Sequence, residues 1–327
     1  MAKRRRNRRG MIVATLQRKG GNYKTTTTVA LGTELEQRGD SVLEVDIDDG
    51  ANLTDLNLLE DQIERVNDAL SSRRLFDHPE AFHDQLAWHI VTEYNALDDD
   101  GFERYNREAL LRTYRQRSWQ PGQGELWVIP GHESLRDVGV ALSNRYRANS
   151  SLPRPETVLD IALSRARDEF DWILIDTPPA DTLETRAALY AADMVVVPLA
   201  FGRYQLRAYN RLATRMAQIS DLRRQNGKPD VPLGAVIMHK YPSRTYYRDE
   251  EKYLKSKQDA DDLRVEYRKQ FGATLIDFPV PYDETVTEAE DAAVPLQLYA
   301  PECDAAVAWA QIITPFLERA EYVAAHR

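Results

Sequence analysis

The residues best placed to do chemistry are the lysines and threonines of Lys19-Gly20-Gly21-Asn22-Tyr23-Lys24-Thr25-Thr26. An apolar run, Met11 to Leu16, precedes them, and a segment of helical character from Thr27 to Arg38 follows and ends at Gly39. Strand, glycine-containing loop, Lys-Thr and helix in that order make a cradle for phosphate groups. The first N–H groups of a helix have no partner within it, and the helix dipole places positive charge at that end. Lys24 adds a full charge within reach of the terminal phosphates of a nucleotide, and the Thr25 hydroxyl can ligate an accompanying Mg²⁺. Lys19, at the mouth of the loop, cannot easily fold back onto a phosphate that Lys24 already holds. It is better placed to reach a nucleotide presented by a second subunit.

Two sets of carboxylates are spaced to work with such a loop. Ser41 to Val45 reads as a buried strand that ends in Asp46-Ile47-Asp48-Asp49-Gly50-Ala51-Asn52. Farther on, the apolar run Trp172-Ile173-Leu174-Ile175 delivers Asp176 at its carboxyl end, followed by Thr177-Pro178-Pro179. The carboxyl ends of strands are where an α/β sheet binds its ligand. Asp176 can hold the hydration shell of Mg²⁺ through water.

Lys-Gly-Gly-x-x-Lys-Thr-Thr, the Asp46–Asn52 segment and Asp176-x-Pro178-Pro179 together resemble the ParA/MinD family of deviant Walker A ATPases, most closely the DNA-partition type. The resemblance covers residues 11–56 and about 125–320. It implies that ATP and Mg²⁺ are bound by Gly20, Gly21, Asn22, Tyr23, Lys24, Thr25 and Thr26, and that Lys19 crosses a homodimer interface. It further implies that Asp48 positions or activates the attacking water with Asp46 and Asn52 nearby, and that Pro281 and residues near Met238 flank the adenine. Four positions depart from the family pattern. Tyr23 stands where glycine is usual and must avoid a strained φ, Asp49 and Gly50 replace Pro-Gln, and Tyr282 stands where arginine is frequent.

The elements that must position these groups alternate. Strands are expected at Met11–Leu16, Ser41–Val45, Glu125–Gly131, Trp172–Ile175, Met194–Leu199, Gly234–Met238 and Thr274–Phe278. Helical segments lie between them: Leu53–Leu70, one capped by Ser134, and Pro155–Phe170. A last helix, Asp304–Ala325, packs through Val307, Ile312, Phe316, Ala320 and Val323. Alternation of this kind predicts one doubly wound, mainly parallel α/β sheet of about seven strands. Residues 71–124 fit the pattern poorly and read as a helical insertion on the periphery. Its histidines, His78, His83 and His89, are not at tight metal spacing, and its arginines and aromatics read as an amphipathic helix.

Composition narrows the class. The 327 residues are 43% hydrophobic and 29% charged, as in a globular protein with a sizeable core. The one cysteine, Cys303, excludes a disulfide framework and a Cys-rich metal site in one subunit. No apolar run approaches the roughly 18 residues of a membrane span, which leads to the expectation of a cytoplasmic, nucleoid-associated protein without membrane contact. Net charge is −9, but residues 1–10 carry six of the 43 Lys and Arg. Such a tail attracts polyanions.

A second basic feature follows the strand ending at Leu199. Arg203, Arg207, Arg211 and Arg215 recur every four residues and form a winding stripe on a helix. Leu206, Leu212, Ala213, Met216 and Ile219 would pack on the sheet. Like charges at this spacing destabilise a helix, so an external polyanion is expected. Non-specific DNA is the candidate, and the resemblance implies that Lys240, Arg244 and Arg248 join the contact. By resemblance, a ParB-like centromere-binding partner stimulates hydrolysis. Two alternatives remain open: a MinD-like positioning ATPase on the membrane, and a metabolic ATP-dependent enzyme of the same fold.

Overall fold

The computed structural model of the chain describes residues 9–17, 23–57, 72–77, 124–164 and 166–326. Seven strands form one sheet: β1 (Met11–Thr15), β2 (Ser41–Asp46), β3 (Glu125–Ile129), β4 (Trp172–Asp176), β5 (Met194–Ala200), β6 (Leu233–Tyr241) and β7 (Leu275–Pro281). All pairings are parallel, in the order β3-β2-β4-β1-β5-β6-β7. The expected doubly wound sheet is the one observed.

Alternation along each strand explains the layers. Ile12 and Ala14 of β1, Ile173 and Ile175 of β4, and Val195 and Val197 of β5 enter one core cluster. Their neighbours Val13, Leu174 and Val196 enter the other. A strand buried on both faces must be apolar at successive positions, which is why these segments read as continuous hydrophobic runs. The first face is covered by helices Val138–Ala148, Leu183–Ala191 and Arg203–Gln225, the second by helices Lys24–Gln37 and Asp304–Ala325. β1 lies between β4 and β5, so the loop after it opens at the point where the strand order reverses, and crevices form there.

Several elements differ from their expected form. The Pro155–Phe170 segment is not one helix: a 3₁₀ turn (Pro155–Thr157) leads to short helices Val158–Ala162 and Ala166–Glu169. The last of these carries Arg167, whose guanidinium donates to the carbonyls of Gly10 and Ala191 and pairs with Asp193. The turn after β3 is capped by the His132 side chain, which accepts from Ser134 N–H, rather than by Ser134. Helix Asn52–Asn57 begins the expected 53–70 helix, and the remainder lies outside the described residues. The start of the expected insertion is not peripheral: Leu75 and Phe76 of helix Arg73–Asp77 are fully buried in the first core cluster. The insertion's histidines and basic-aromatic run fall outside the described residues. In helix Asp304–Ala325, Ile312, Phe316, Ala320 and Val323 are buried as expected, but Val307 is exposed and Trp309 packs instead. Val307 is five residues before Ile312 and so about 140° away around the helix.

Candidate nucleotide site

Helix Lys24–Gln37 follows β1 in the chain, and its first residues meet the carboxyl end of β4. The Thr25 hydroxyl donates to Asp176 Oδ2 at 2.6 Å. The other carboxylate oxygen, Asp176 Oδ1, is buried without a hydrogen-bond partner. A hydroxyl and a carboxylate with one oxygen unsatisfied are hard oxygen donors that suit Mg²⁺. Thr25 and Asp176 would hold that ion, and it would neutralise phosphate charge. Lys24 is buried beside them, and its charge draws down the carboxyls of both Asp176 and Asp48. Burial outweighs that pull and raises both. Thr28 Oγ1 donates to Thr15 Oγ1 at 2.9 Å and Thr177 Oγ1 to Thr15 O at 2.7 Å, which ties helix, β1 and β4 together beneath the site.

The segment after β2 folds into a tight turn around its own acids. Asp48 lines the cavity, and its Oδ1 accepts from Gly50 N–H at 3.1 Å. Asp46, grouped from sequence with the nucleotide-binding residues, does not reach the cavity. Its Oδ1 accepts from Asp48 N–H, and its Oδ2 accepts from the backbone N–H and hydroxyl of Thr54 at 3.0 and 2.8 Å. It is therefore a fully buried brace under the turn. A Cβ at Gly131 would lie 2.8 Å from Asp46 Cγ, so this close approach requires glycine. Asp49 turns outward to Arg136 at 3.0 Å.

Tyr23 is held in the left-handed region, φ 57°, ψ 24°, contrary to the expectation that it avoids strain. Its ring lies flat on His239, with centroids 4.7 Å apart and planes 9° from parallel, and its carbonyl accepts from Thr27 N–H at 2.8 Å. These contacts offset a conformation that costs a non-glycine residue about 1 kcal/mol or more. Burial, with Glu290 nearby, pushes its phenol up to about 12, so it stays protonated. His239 is buried against Trp309, and its Nε2 lies 3.0 Å from Thr27 Oγ1. Burial lowers its pKa to about 3, which keeps the ring neutral.

These groups surround a cavity of about 460 Å³. Tyr23, Lys24, Thr25, Thr26, Asp48, Asn52 and Pro281 line it, as the sequence led one to expect. Met238 does not: it is fully buried in the core, because alternation along β6 turns it away and presents His239 instead. Lys19, Gly20, Gly21 and Asn22 lie outside the described residues. Glu290, which accepts from Thr26 Oγ1 at 2.7 Å, and Trp309 join the site and were not read from sequence. His239 had a signal: it is a polar residue interrupting the apolar run of β6.

The basic stripe is less continuous than its spacing implies. A four-residue repeat advances about 40° per step around a helix, so the stripe drifts toward the buried seam of Leu212, Met216 and Ile219. Arg215 reaches the edge of that seam and pairs with Asp181, which also holds Arg186. The expected lack of acidic relief is thus not met there. Arg207 and Arg211 are exposed, and the Arg203 side chain is outside the described set. Lys240 is exposed and stands at the rim of the nucleotide cavity. Arg244 pairs with Glu250 at 3.0 Å, and Arg248 is exposed. No helix among the described residues is long and apolar enough to cross a membrane.

Comparison with known proteins agrees with this geometry. The chain is 26% identical over 309 residues to the chromosome partitioning protein ParA of Caulobacter vibrioides, covering 94% of each. Its fold matches the ATP complex of an McdA variant from Cyanothece with a TM-score of 0.62 at 17% identity, covering 97% of each chain. It also matches cobyrinic acid a,c-diamide synthase from Mycobacterium smegmatis with bound ATP analog and magnesium, with a TM-score of 0.61 at 21% identity, covering 95% of this chain and 96% of that one. The AAA domain model AAA_31 matches residues 10–228, and the chain belongs to that family of ParA/MinD-type P-loop ATPases.

Proposed function

We propose that this protein is a DNA-partition ATPase. It hydrolyses ATP to ADP and phosphate, forms an ATP-bridged homodimer that binds DNA non-specifically, and is stimulated by a ParB-like centromere-binding partner in the cytoplasm. The observation that carries the ATPase part is the Thr25–Asp176 contact at 2.6 Å, with Lys24 buried beside it and Asp48 on the cavity wall. Lys24 supplies the counter-charge for the β- and γ-phosphates, and Asp48, fixed by Gly50 N–H, orients the attacking water. The partition part draws support from the relative named ParA, which aligns over 94% of both chains, and from the basic tail and the exposed arginines of helix Arg203–Gln225.

A metabolic ATP-dependent enzyme is the second reading, because the synthase matches the fold as well as McdA does. One experiment separates the two: a gel shift on unrelated DNA with no nucleotide, ADP or ATP, run beside an ATPase assay. Retardation with ATP alone, lost in Lys24→Ala, supports partition. ATP turnover without any DNA binding would discard it.

A further inference from the structure

One imidazole reaches both ends of the first turn of helix Lys24–Gln37. The His239 ring stacks on that of Tyr23, with centroids 4.7 Å apart. Its Nε2 lies 3.0 Å from Thr27 Oγ1. Tyr23 precedes the first helical residue, and Thr27 N–H closes the turn by donating to Tyr23 O at 2.8 Å. Between these two contacts lie Lys24, Thr25 and Thr26, which line the nucleotide cavity.

The brace is itself fixed. His239 is a fully buried residue of β6, and the Trp309 ring of helix Asp304–Ala325 lies 5.6 Å from it, centroid to centroid. The next residue of β6, Lys240, places its ammonium 5.4 Å from the centre of the Tyr23 ring. Tyr23 needs such support. Its φ of 57° is left-handed, and a non-glycine residue stays there only where its surroundings hold it. Glycine would adopt the same angles freely, and many others as well. A tyrosine whose ring is held therefore confines the turn to one conformation. A turn already ordered loses less entropy when a ligand binds.

We infer that Tyr23 and His239 are positioning residues for phosphate binding: by bracing both ends of the first turn they set Lys24 and the backbone N–H groups of that turn before a ligand arrives. The inference rests on the ATP-binding reading and adds to it two residues that act through others. The Tyr23 ring serves the turn and not the nucleoside. Its loss is felt equally by a nucleotide and by a ligand that consists of phosphate alone.

The test is equilibrium binding of ATP and of inorganic tripolyphosphate, each with Mg²⁺, to the full chain well below its melting temperature, so that global stability does not enter. Tyr23→Gly accepts the backbone angles and removes only the side chain. It should weaken both ligands by the same factor, about three- to tenfold, the scale of one aromatic contact. Tyr23→Phe keeps the ring and should recover wild-type affinity for both. His239→Asn should also weaken both, and adding Tyr23→Gly to it should cost little more, because the two residues act through one contact. Unchanged or tighter binding in Tyr23→Gly, a loss confined to ATP, a loss in Tyr23→Phe equal to that in Tyr23→Gly, or losses that multiply in the double variant would each overturn the positioning role. Lys24→Ala tests the underlying reading. If it weakens both ligands while Tyr23→Gly weakens neither, the positioning role fails and the phosphate site stands. If it weakens neither, the phosphate site is misassigned and the role falls with it.

Discussion

Asp46 and Asp176 stand directly opposite each other in the parallel register of β2 and β4, both at carboxyl ends and both fully buried. Burial is the main cause that raises both carboxyls, and the Asp176 charge adds to it at Asp46. The two do different work. Asp46 has three donors directed at it, whereas Asp176 receives the Thr25 hydroxyl and keeps one oxygen unsatisfied. Asp46→Ala leaves buried donors without an acceptor and should cost at least about 2 kcal/mol in urea unfolding. Asp176→Asn keeps an acceptor for Thr25 and removes a buried charge. Its stability without ligand should equal or exceed wild type, while stabilisation by ATP with Mg²⁺ is lost. A large loss of unliganded stability in Asp176→Asn would contradict this division.

His239 predicts a pH dependence. Its ring titrates near 6.5 when free and at about 3 in the fold. Between those values the unfolded chain binds the proton and the folded chain does not, so stability falls as pH drops from 6.5 toward 3. At about pH 5 this amounts to about 2 kcal/mol. His239→Asn loses the Tyr23 stack and is less stable near neutrality, but the gap to wild type should narrow by that amount between about pH 7 and pH 5. Parallel curves would show that the ring takes up its proton in the fold as readily as in the unfolded chain.

The P-loop lysines and Asp48 separate binding from turnover. Lys24→Ala should reduce ATP affinity by about 100-fold or more, because the phosphates lose their main counter-charge. Asp48→Ala should bind ATP and dimerise but hydrolyse it about 100-fold more slowly. Lys19→Ala should bind ATP and fail to form the dimer. Sedimentation with ATP distinguishes the last two, and normal hydrolysis by Lys19→Ala would remove the cross-dimer role.

DNA binding should follow the arginines that remain outward. Arg211→Glu with Arg248→Glu should weaken binding to all sequences alike and flatten its salt dependence by about two charges. Deleting residues 1–8 should act in the same sense. Arg215→Ala should instead lower stability, by about 1 kcal/mol, because Asp181 loses a half-buried partner. Salt-insensitive DNA affinity in the first variant, equal to wild type, would move the interface elsewhere.

The seven strands, their parallel arrangement and the cavity residues Tyr23 to Thr26, Asp48, Asn52 and Pro281 were legible in local sequence. A strand buried on both faces is apolar throughout, and a phosphate loop needs its glycines, lysine and threonine at fixed spacing, so Thr25, Asp48 and Asp176 announce themselves. What only the tertiary structure decided depends on which distant groups meet. The register of β2 with β4 sets Asp46 against Asp176, and their partners differ: Asp46 is bound by Asp48 and Thr54, Asp176 by Thr25. The pleat of β6 buries Met238 and turns His239 into the cavity. The winding of helix Arg203–Gln225 brings Arg215 to Asp181, and the convergence of β6 and β7 carries Lys240 and Tyr282 to Tyr23. Local sequence sets what each segment buries; the packing of segments far apart in the chain sets which side chains share a site.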